Sequence, residues 1–478
     1  MNLLTKNKRA MNLPRLRLLA LLVGTAVLSG CASFSADGGF ATVEQTAKDR
    51  LGKDVRWARS DADQNTIDLR VAELLAKPLT MDDAVQVALL NNRGLQASFS
   101  ELGITEAEVV QAGRLPNPGF SFGRLRRGSE VELERGLHIN LARLLLMPLI
   151  GQMEARRFEQ VKGMVAMSVL SLAADTRKAW VNALAAEETV RYLRQVKQTA
   201  EAGAELARRM EQVGNFNKLQ RAREQGFYAD AALNLARAEQ AQRVTRERLT
   251  RLLGAWGSQA KFSLPERLPD LPKEALDLPD VERVALAQRL DVQGAKLAAE
   301  QTAKNLGLTR TTRFINVLEL GIRNNSSNEM PTQRGWEIGL ELPLFDWGGA
   351  RVARAEAVYM QSVHRAAETA INARSEVREA YTGYRAAFDI ARHHRDEIVP
   401  LRQRIAEENQ LRYNGMLIGV FELLADARSQ IASVNAAIDA KRDFWIAQAD
   451  LDMALIGKPS FATASGPAMA AESGGPAH

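Results

Sequence analysis

The sequence predicts a mainly α-helical chain that carries four short β-strands: two long helical hairpins, each enclosing a pair of strands. Three observations predict it. Long stretches lack glycine and proline, four segments of about ten residues alternate apolar and polar positions, and the second half of the chain echoes the first. Aromatic residues make up only 6% of the chain, while alanine, leucine, glutamate and arginine dominate its middle, which favours helix.

The helices come first. From Arg351 to Arg412 the only helix-breaking residues are Gly383 and Pro400. As one helix that run would reach roughly 90 Å. Val377, Tyr381, Tyr384, Phe388, Ala391, Ile398, Leu401 and Ile405 are spaced 4, 3, 4, 3, 7, 3 and 4 apart. Such a heptad-like stripe suits helices that coil around one another. The first half has matching runs from about Gln152 to Gln212 and from Lys218 to Leu253, longer than ordinary globular helices.

The strand candidates sit between those runs. Over Val131–Leu141 the residues Val131, Leu133, Leu137, Ile139 and Leu141 share one face, with Arg135 as the single exception. Trp336, Ile338, Leu340, Leu342 and Leu344 do the same over 334–344. Weaker partners cover about 118–126, with Phe120 and Phe122, and about 313–323, with Phe314, Leu318, Leu320 and Ile322. One apolar and one polar face over about ten residues is what a transmembrane β-barrel needs. Four strands cannot close a barrel, and lipid does not tolerate an open sheet edge. Two chains would supply eight strands and three would supply twelve. Eight leave an interior just filled by side chains, so a conducting duct favours a homotrimer.

The two halves align in order. Val87-Ala88-Leu89 is echoed by Val284-Ala285-Leu286, Gln96 by Gln293, Pro148-Leu149 by Pro343-Leu344, and Gly214 by Gly415. The first repeat covers 78–262 and the second 280–457. A linker over 263–279 holds Pro265, Pro269, Pro272 and Pro279. Pro148 and Pro343 are expected where a strand turns into a helix, since proline offers the ladder no donor. Gly348 and Gly349 give the backbone freedom at the second junction. Gly214 and Gly415 are expected in the turns at the far tips of the helical hairpins.

The ends carry a different message. Residues 1–30 read as a signal peptide: Lys6, Lys8, Arg9, Arg15 and Arg17 precede an apolar run from Leu16 to Leu28, too short to span a bilayer. These five charges account for most of the net +6, so the mature chain is near neutral despite a pI of about 9.4. No basic patch interleaved with aromatics remains, which argues against nucleic acid. Leu28-Ser29-Gly30-Cys31 resembles a bacterial lipobox, in which the thiol is lipidated and becomes the mature N-terminus. Cys31 is the only cysteine. Ala32 and Ser33 follow it, and in lipoproteins of this type the absence of an aspartate there implies the outer membrane. One acyl chain anchors weakly, so firm attachment takes several chains or a second device. Residues 31–77 read as a polar, lipidated leader, helical around Val43–Trp57, and the Ala-, Gly-, Ser- and Pro-rich stretch over 458–478 as a disordered tail.

From about Pro78 to Gly457 the chain resembles the TolC-type outer-membrane factors. The marks are Leu79-Thr80-Met81-Asp82-Asp83-Ala84, Ala88-Leu89-Leu90-Asn91-Asn92, Pro343-Leu344-Phe345-Asp346-Trp347-Gly348-Gly349, and Tyr413-Asn414-Gly415 followed by Phe421-Glu422-Leu423-Leu424. The resemblance implies a homotrimer with a 12-stranded barrel in the outer membrane of a Gram-negative bacterium and a helical tube in the periplasm. It also implies a periplasmic adaptor (membrane fusion) protein, met at the helix tips, and an inner-membrane pump as partners. Members carry an acid just after the second tip that faces the periplasmic aperture. Glu422 falls near that place, and Asp426 lies one turn on, on the same face. Three copies would form an acidic ring that attracts cations.

Catalytic and cofactor chemistry find no support. His393 and His394 are adjacent and diverge on a helix, and no nucleotide loop, CxxC pair or nucleophile elbow occurs. The expectation is a non-enzymatic export duct with no cofactor beyond the lipid on Cys31 and no bound metal. The alternative is a non-conducting periplasmic coiled-coil lipoprotein acting as scaffold or adaptor, which would share the lipobox and heptads without needing four amphipathic strands.

Overall fold

The computed structural model describes residues 33–312, 318–340 and 345–460. Its helices are α1 (Phe40–Leu51), α2 (Asp61–Leu75), α3 (Met81–Asn91), α4 (Arg93–Ala112), α5 (Leu141–Gln212), α6 (Lys218–Leu253), α7 (Val281–Gln288), α8 (Leu290–Thr312), α9 (Gly349–His393), α10 (Val399–Asn414) and α11 (Val420–Ile456). The strands are β1 (Gly119–Arg127), β2 (Glu130–Asn140), β3 (Leu318–Ser327) and β4 (Gln333–Leu340). The chain forms two units: a helical unit over 40–100, 163–297 and 363 onward, and a sheet unit over residues up to 39, 101–162 and 298–362.

In the helical unit each repeat opens with a short helix, α3 or α7, followed at once by a second helix. Thr80 caps α3 by accepting from Asp83 N. The duplication is visible in hydrogen bonds. Gln96 Nε2 donates to Leu90 O, and Gln293 Nε2 donates to Ala287 O, the same pair 197 residues on. Asn92 and Arg289 hold equivalent places. Asn92 Nδ2 reaches Leu252 O near the end of α6, and Arg289 Nη1 reaches Ala454 O near the end of α11. The cores are built from the expected stripes. Trp180, fully buried, donates to Leu79 O at 2.8 Å, and Val377, Tyr384, Phe388 and Ala391 pack with Phe444.

Three sequence expectations change here. The leader is two helices, α1 and α2, docked on the first repeat: Val43, Ala47, Ile67 and Val71 are buried, and Gln96 Oε1 accepts from Ala58 N at 3.0 Å. The proline-rich 263–279 stretch is a strap pinned by side chains, not a free linker. Trp445 Nε1 donates to Pro269 O at 3.0 Å, and the Tyr384 hydroxyl accepts from Leu276 N at 2.9 Å. Its prolines lack a donor, so side chains from α9 and α11 satisfy the carbonyls and N–H groups that remain. Finally, the apolar stripe fails at a π-turn, His394–Ile398, directly before Pro400. The wider turn accommodates the proline's missing N–H and shifts the register by a residue. Beyond it, Leu401 is exposed and α10 has no buried residue.

The sheet unit is an antiparallel meander in the order β1-β2-β3-β4. β3 runs four residues past its expected end, because Asn324–Ser327 pair with Arg135–Glu132 of β2 and bring their backbone groups into the ladder. Phe314, Leu342 and Leu344 lie outside the described residues, as do Cys31 and most of the 458–478 tail.

Candidate functional site: hairpin tips and the two-faced sheet

The tips of the two helical hairpins are copies of one turn. Five residues, 213–217, join α5 to α6, and five, 415–419, join α10 to α11. In the first, Gly214 N donates to Glu211 O at 3.0 Å and Asn215 N to Met210 O at 2.8 Å. In the second, Met416 N donates to Tyr413 O at 3.0 Å and Leu417 N to Arg412 O at 2.8 Å. The left-handed position of the turn is Gly214 (φ 79) in one and Met416 (φ 57) in the other. Gly415 lies in its tip, as expected, but at φ −81 it uses no special freedom, and Gly214 aligns structurally with Met416. The residue-for-residue echo with Gly415 is therefore one position off: the conformation is conserved between the repeats and the glycine is not. Both tips expose apolar side chains: Val213 and Leu219 in the first, Leu411, Met416 and Leu417 in the second.

Just beyond the second tip, Glu422 is exposed in the first turn of α11 and Asp426 is half-buried one turn on. Neither has a hydrogen-bond or ionic partner among the described residues. Near them lies a contact that the sequence does not announce. Arg428 Nη2 stands 3.3 Å from Glu224 Oε1 of α6, with its guanidinium 4.4 Å over the Phe227 ring. Glu224 is buried, so this pair joins the first hairpin to the second at their tip ends. Its members are 204 residues apart, and no local pattern links them. At the first tip Arg208 and Arg209 hold the Glu205 carboxyl down to about 2 by hydrogen bonds.

The strand–helix junctions differ from each other. Pro148 does not mark one. β2 passes directly into α5 at Asn140–Leu141, and Pro148 lies eight residues into that helix. Asn140 is the reason: its Oδ1 accepts from Arg143 N at 2.7 Å, capping the helix before the proline is reached. Pro343 lies outside the described residues. Gly348 and Gly349 do sit at the start of α9. Gly348 takes φ 74, donates to Asp346 Oδ1 at 2.8 Å and accepts from Val352 N at 3.1 Å, and Gly349 begins the helix.

The sheet has two chemically distinct faces. On one, Phe120, Leu137, Ile322 and Trp336 align in a single row across all four strands. All four are exposed, at 67%, 48%, 60% and 73%. The neighbouring rows toward the helices are Ile139, Leu320 and Ile338, then Leu318 and Leu340. The opposite face carries Glu130, Glu132, Glu134, His138, Asn140, Glu319, Arg323 and Glu337. Arg323 and Glu337 pair there at 2.8 Å. Gly119 lies under the His138 ring, where a Cβ would clash. The outer edges of β1 and β4 have no strand partner among the described residues.

Compared with models of protein families, the chain matches none. It is 24% identical over 283 residues to the cobalt-zinc-cadmium resistance protein CzcC of Cupriavidus metallidurans, a match that covers 57% of this chain. It spans 64% of the length of that curated relative. Among solved structures, the Campylobacter jejuni CmeC outer membrane channel superposes with a TM-score of 0.67 at 16% identity, covering 86% of this chain and 91% of that one. The open state of the Neisseria gonorrhoeae MtrE outer membrane channel gives 0.66 at 20% identity, covering 79% and 89%. CusC, solved in a study of transmembrane channel formation, gives 0.65 at 17%, covering 79% and 92%. The chain thus has the fold of the TolC-type outer-membrane channels, mainly helical with a small β part.

Proposed function

We propose that this chain, having the fold of an outer-membrane channel, is the outer-membrane component of a tripartite export system. It acts as a passive duct for small molecules or ions, driven by an inner-membrane pump through a periplasmic adaptor. One observation carries the reading: the row Phe120–Leu137–Ile322–Trp336 is apolar, crosses the whole sheet and has no protein cover among the described residues. Had these side chains entered a core of the same subunit, the sheet would be an ordinary soluble layer. Lipid on that face and water on the other satisfy both halves of the pattern.

The open edges of β1 and β4 support a homotrimer. Four antiparallel strands present edges that pair antiparallel with those of the next copy, and twelve strands leave a lumen. The exposed apolar residues of both tips suit contact with the adaptor. Glu422 and Asp426, unpartnered beside the second tip, suit an aperture ring of carboxylates. The polar face of the sheet bears five glutamates against Arg127 and Arg323, which favours cations in the duct. The name of the curated relative, which speaks of cobalt, zinc and cadmium, makes divalent cations a cargo to test first. Lipidation at Cys31 would add an anchor beside the barrel.

The test is reconstitution of the full chain. Purified from membranes, it should migrate as a heat-modifiable trimer and give stepwise ion conductance in planar bilayers. Release as a soluble monomer without conductance would sink the reading in favour of a periplasmic spacer.

A further inference from the structure

The apolar face of the sheet ends abruptly in arginine. Next to the Phe120–Leu137–Ile322–Trp336 row, toward the strand hairpins, comes a row of Phe122, Arg135, Asn324 and Arg334. Beyond it Arg124 stands beside Leu133, and Arg126 beside Val131. All four arginines are exposed. Arg135 is the residue that breaks the alternating pattern of β2, and the register shows why it matters: it shares its row with Arg334, two strands away.

Carboxylates are confined to one face of the sheet, although Arg127 and Arg323 share that face with them. Every carboxylate of the four strands, Glu130, Glu132, Glu134, Glu319 and Glu337, lies on the opposite face. The hairpin loops hold one carboxylate, Glu329, which accepts from Ser129 Oγ at 2.9 Å. Arg124, Arg135 and Arg334 have no ion pair among the described residues, whereas Arg323 on the polar face does. Arg126 Nε donates only to Gly128 O, at 3.3 Å. Arg124 and Arg135 lie diagonally across β1 and β2, where like charges repel one another, and an anion between them offsets that repulsion. A guanidinium binds phosphate oxygens through two parallel donors, and its aliphatic stem lies comfortably along apolar surface.

We propose that Arg124, Arg126, Arg135 and Arg334 bind phosphate-bearing lipid headgroups of the leaflet into which the strand hairpins project. The occupant is a lipid because the apolar rows run without interruption into the arginines. From Leu318 to the Arg135 row is about 20 Å at the rise of a strand, so acyl chains lying on those rows bring their headgroups to the guanidinium groups. The proposal rests on the duct reading only in taking the apolar face to be the lipid face.

The test uses the full-length protein and an Arg124→Gln/Arg135→Gln/Arg334→Gln variant. Both are reconstituted in phosphatidylcholine alone and in phosphatidylcholine doped with phosphatidylglycerol or with diphosphorylated lipid A. Lipids retained per assembly after detergent extraction are counted by native mass spectrometry. The wild type should keep the anionic phospholipid and lipid A, whose phosphates carry uncompensated charge, in preference to zwitterionic phosphatidylcholine. Each arginine removed should lower that retention about fivefold, with excess inorganic phosphate failing to compete. If the triple variant does not assemble, the single Arg135→Gln and Arg334→Gln proteins carry the same readout. Equal retention by variant and wild type overturns the proposal, as does wild type that shows no preference or releases its lipid to inorganic phosphate. Conductance in phosphatidylcholine alone is measured alongside. Its presence in both proteins leaves the duct intact whatever the lipid result, and its absence from the wild type defeats the duct itself.

Discussion

Met416 and Gly214 hold the same place in two copies of one turn, and only one of them suits it. A side chain at positive φ costs about 1–2 kcal/mol in contact with the adjacent carbonyl. Met416→Gly should therefore raise stability by about 0.5 kcal/mol after the added freedom of the unfolded chain is subtracted, read as a shift in chemical denaturation midpoint. Gly214→Ala should lower it by about 1 kcal/mol, and Gly415→Ala should be silent, since a Cβ there meets only ordinary contacts. That methionine is 93% exposed in the strained position fits a residue kept for what it touches outside the chain. Asp450 offers a second residue-scale test. Burial raises its carboxyl above the ordinary value, outweighing the Lys178 ammonium 2.9 Å away. The folded chain then holds the proton more tightly than the unfolded one, so stability falls as pH rises from about 4 through the folded-state value. Asp450→Asn should melt like wild type near pH 4 and higher than wild type near pH 7. Lys178 keeps Ser460 as a partner in either protein.

At the scale of elements, the strands were legible where their faces differ and illegible where they do not. β1 and β2 were readable to within a residue, because apolar and polar positions alternate in both. β3 was ended four residues too early, since Asn324–Asn325–Ser326–Ser327 carry no alternation and join the ladder only because β2 lies beside them. The two faces give a direct prediction. Ile322→Arg, in the middle of the apolar rows, should cost about 2–4 kcal/mol of folding free energy in bilayers. Gly335→Arg, on the polar face with open space around it, should fold with nearly wild-type yield. Helix starts followed a similar logic. Asn140 begins α5 by a cap of one hydrogen bond, and that local signal outranks Pro148, whose lost donor the long helix absorbs. Past Pro400 the heptad stripe is only partly kept: the π-turn is a backbone response to the proline, and after it Leu401 is exposed while Ile405 stays half-buried.

For the whole molecule the central question is whether the chain conducts, and the carboxylates near the second tip bear on how. Glu422→Gln with Asp426→Asn should weaken block by multivalent cations in single-channel recordings while leaving the barrel and its unit conductance in monovalent salt nearly unchanged. Unaltered block would remove both residues from the aperture. Arg428, the partner of Glu224, lies two residues after Asp426, so the control protein should keep Arg428 in place.

The sequence by itself determined the duplicated helical hairpins, the four strands and the tip turns. Each rests on periodicity, caps and breakers that act over a few residues. Tertiary structure decided which strand positions share a row, that Arg135 and Arg334 stand together, that Glu224 meets Arg428, and that Arg289 spans Asp291 and Glu376 at 2.7 Å with 1% exposure. Those partners are separated by anything from two to about two hundred positions. Their meeting is set by ladder register and helix packing, which depend on the whole fold and leave no periodic trace along the chain.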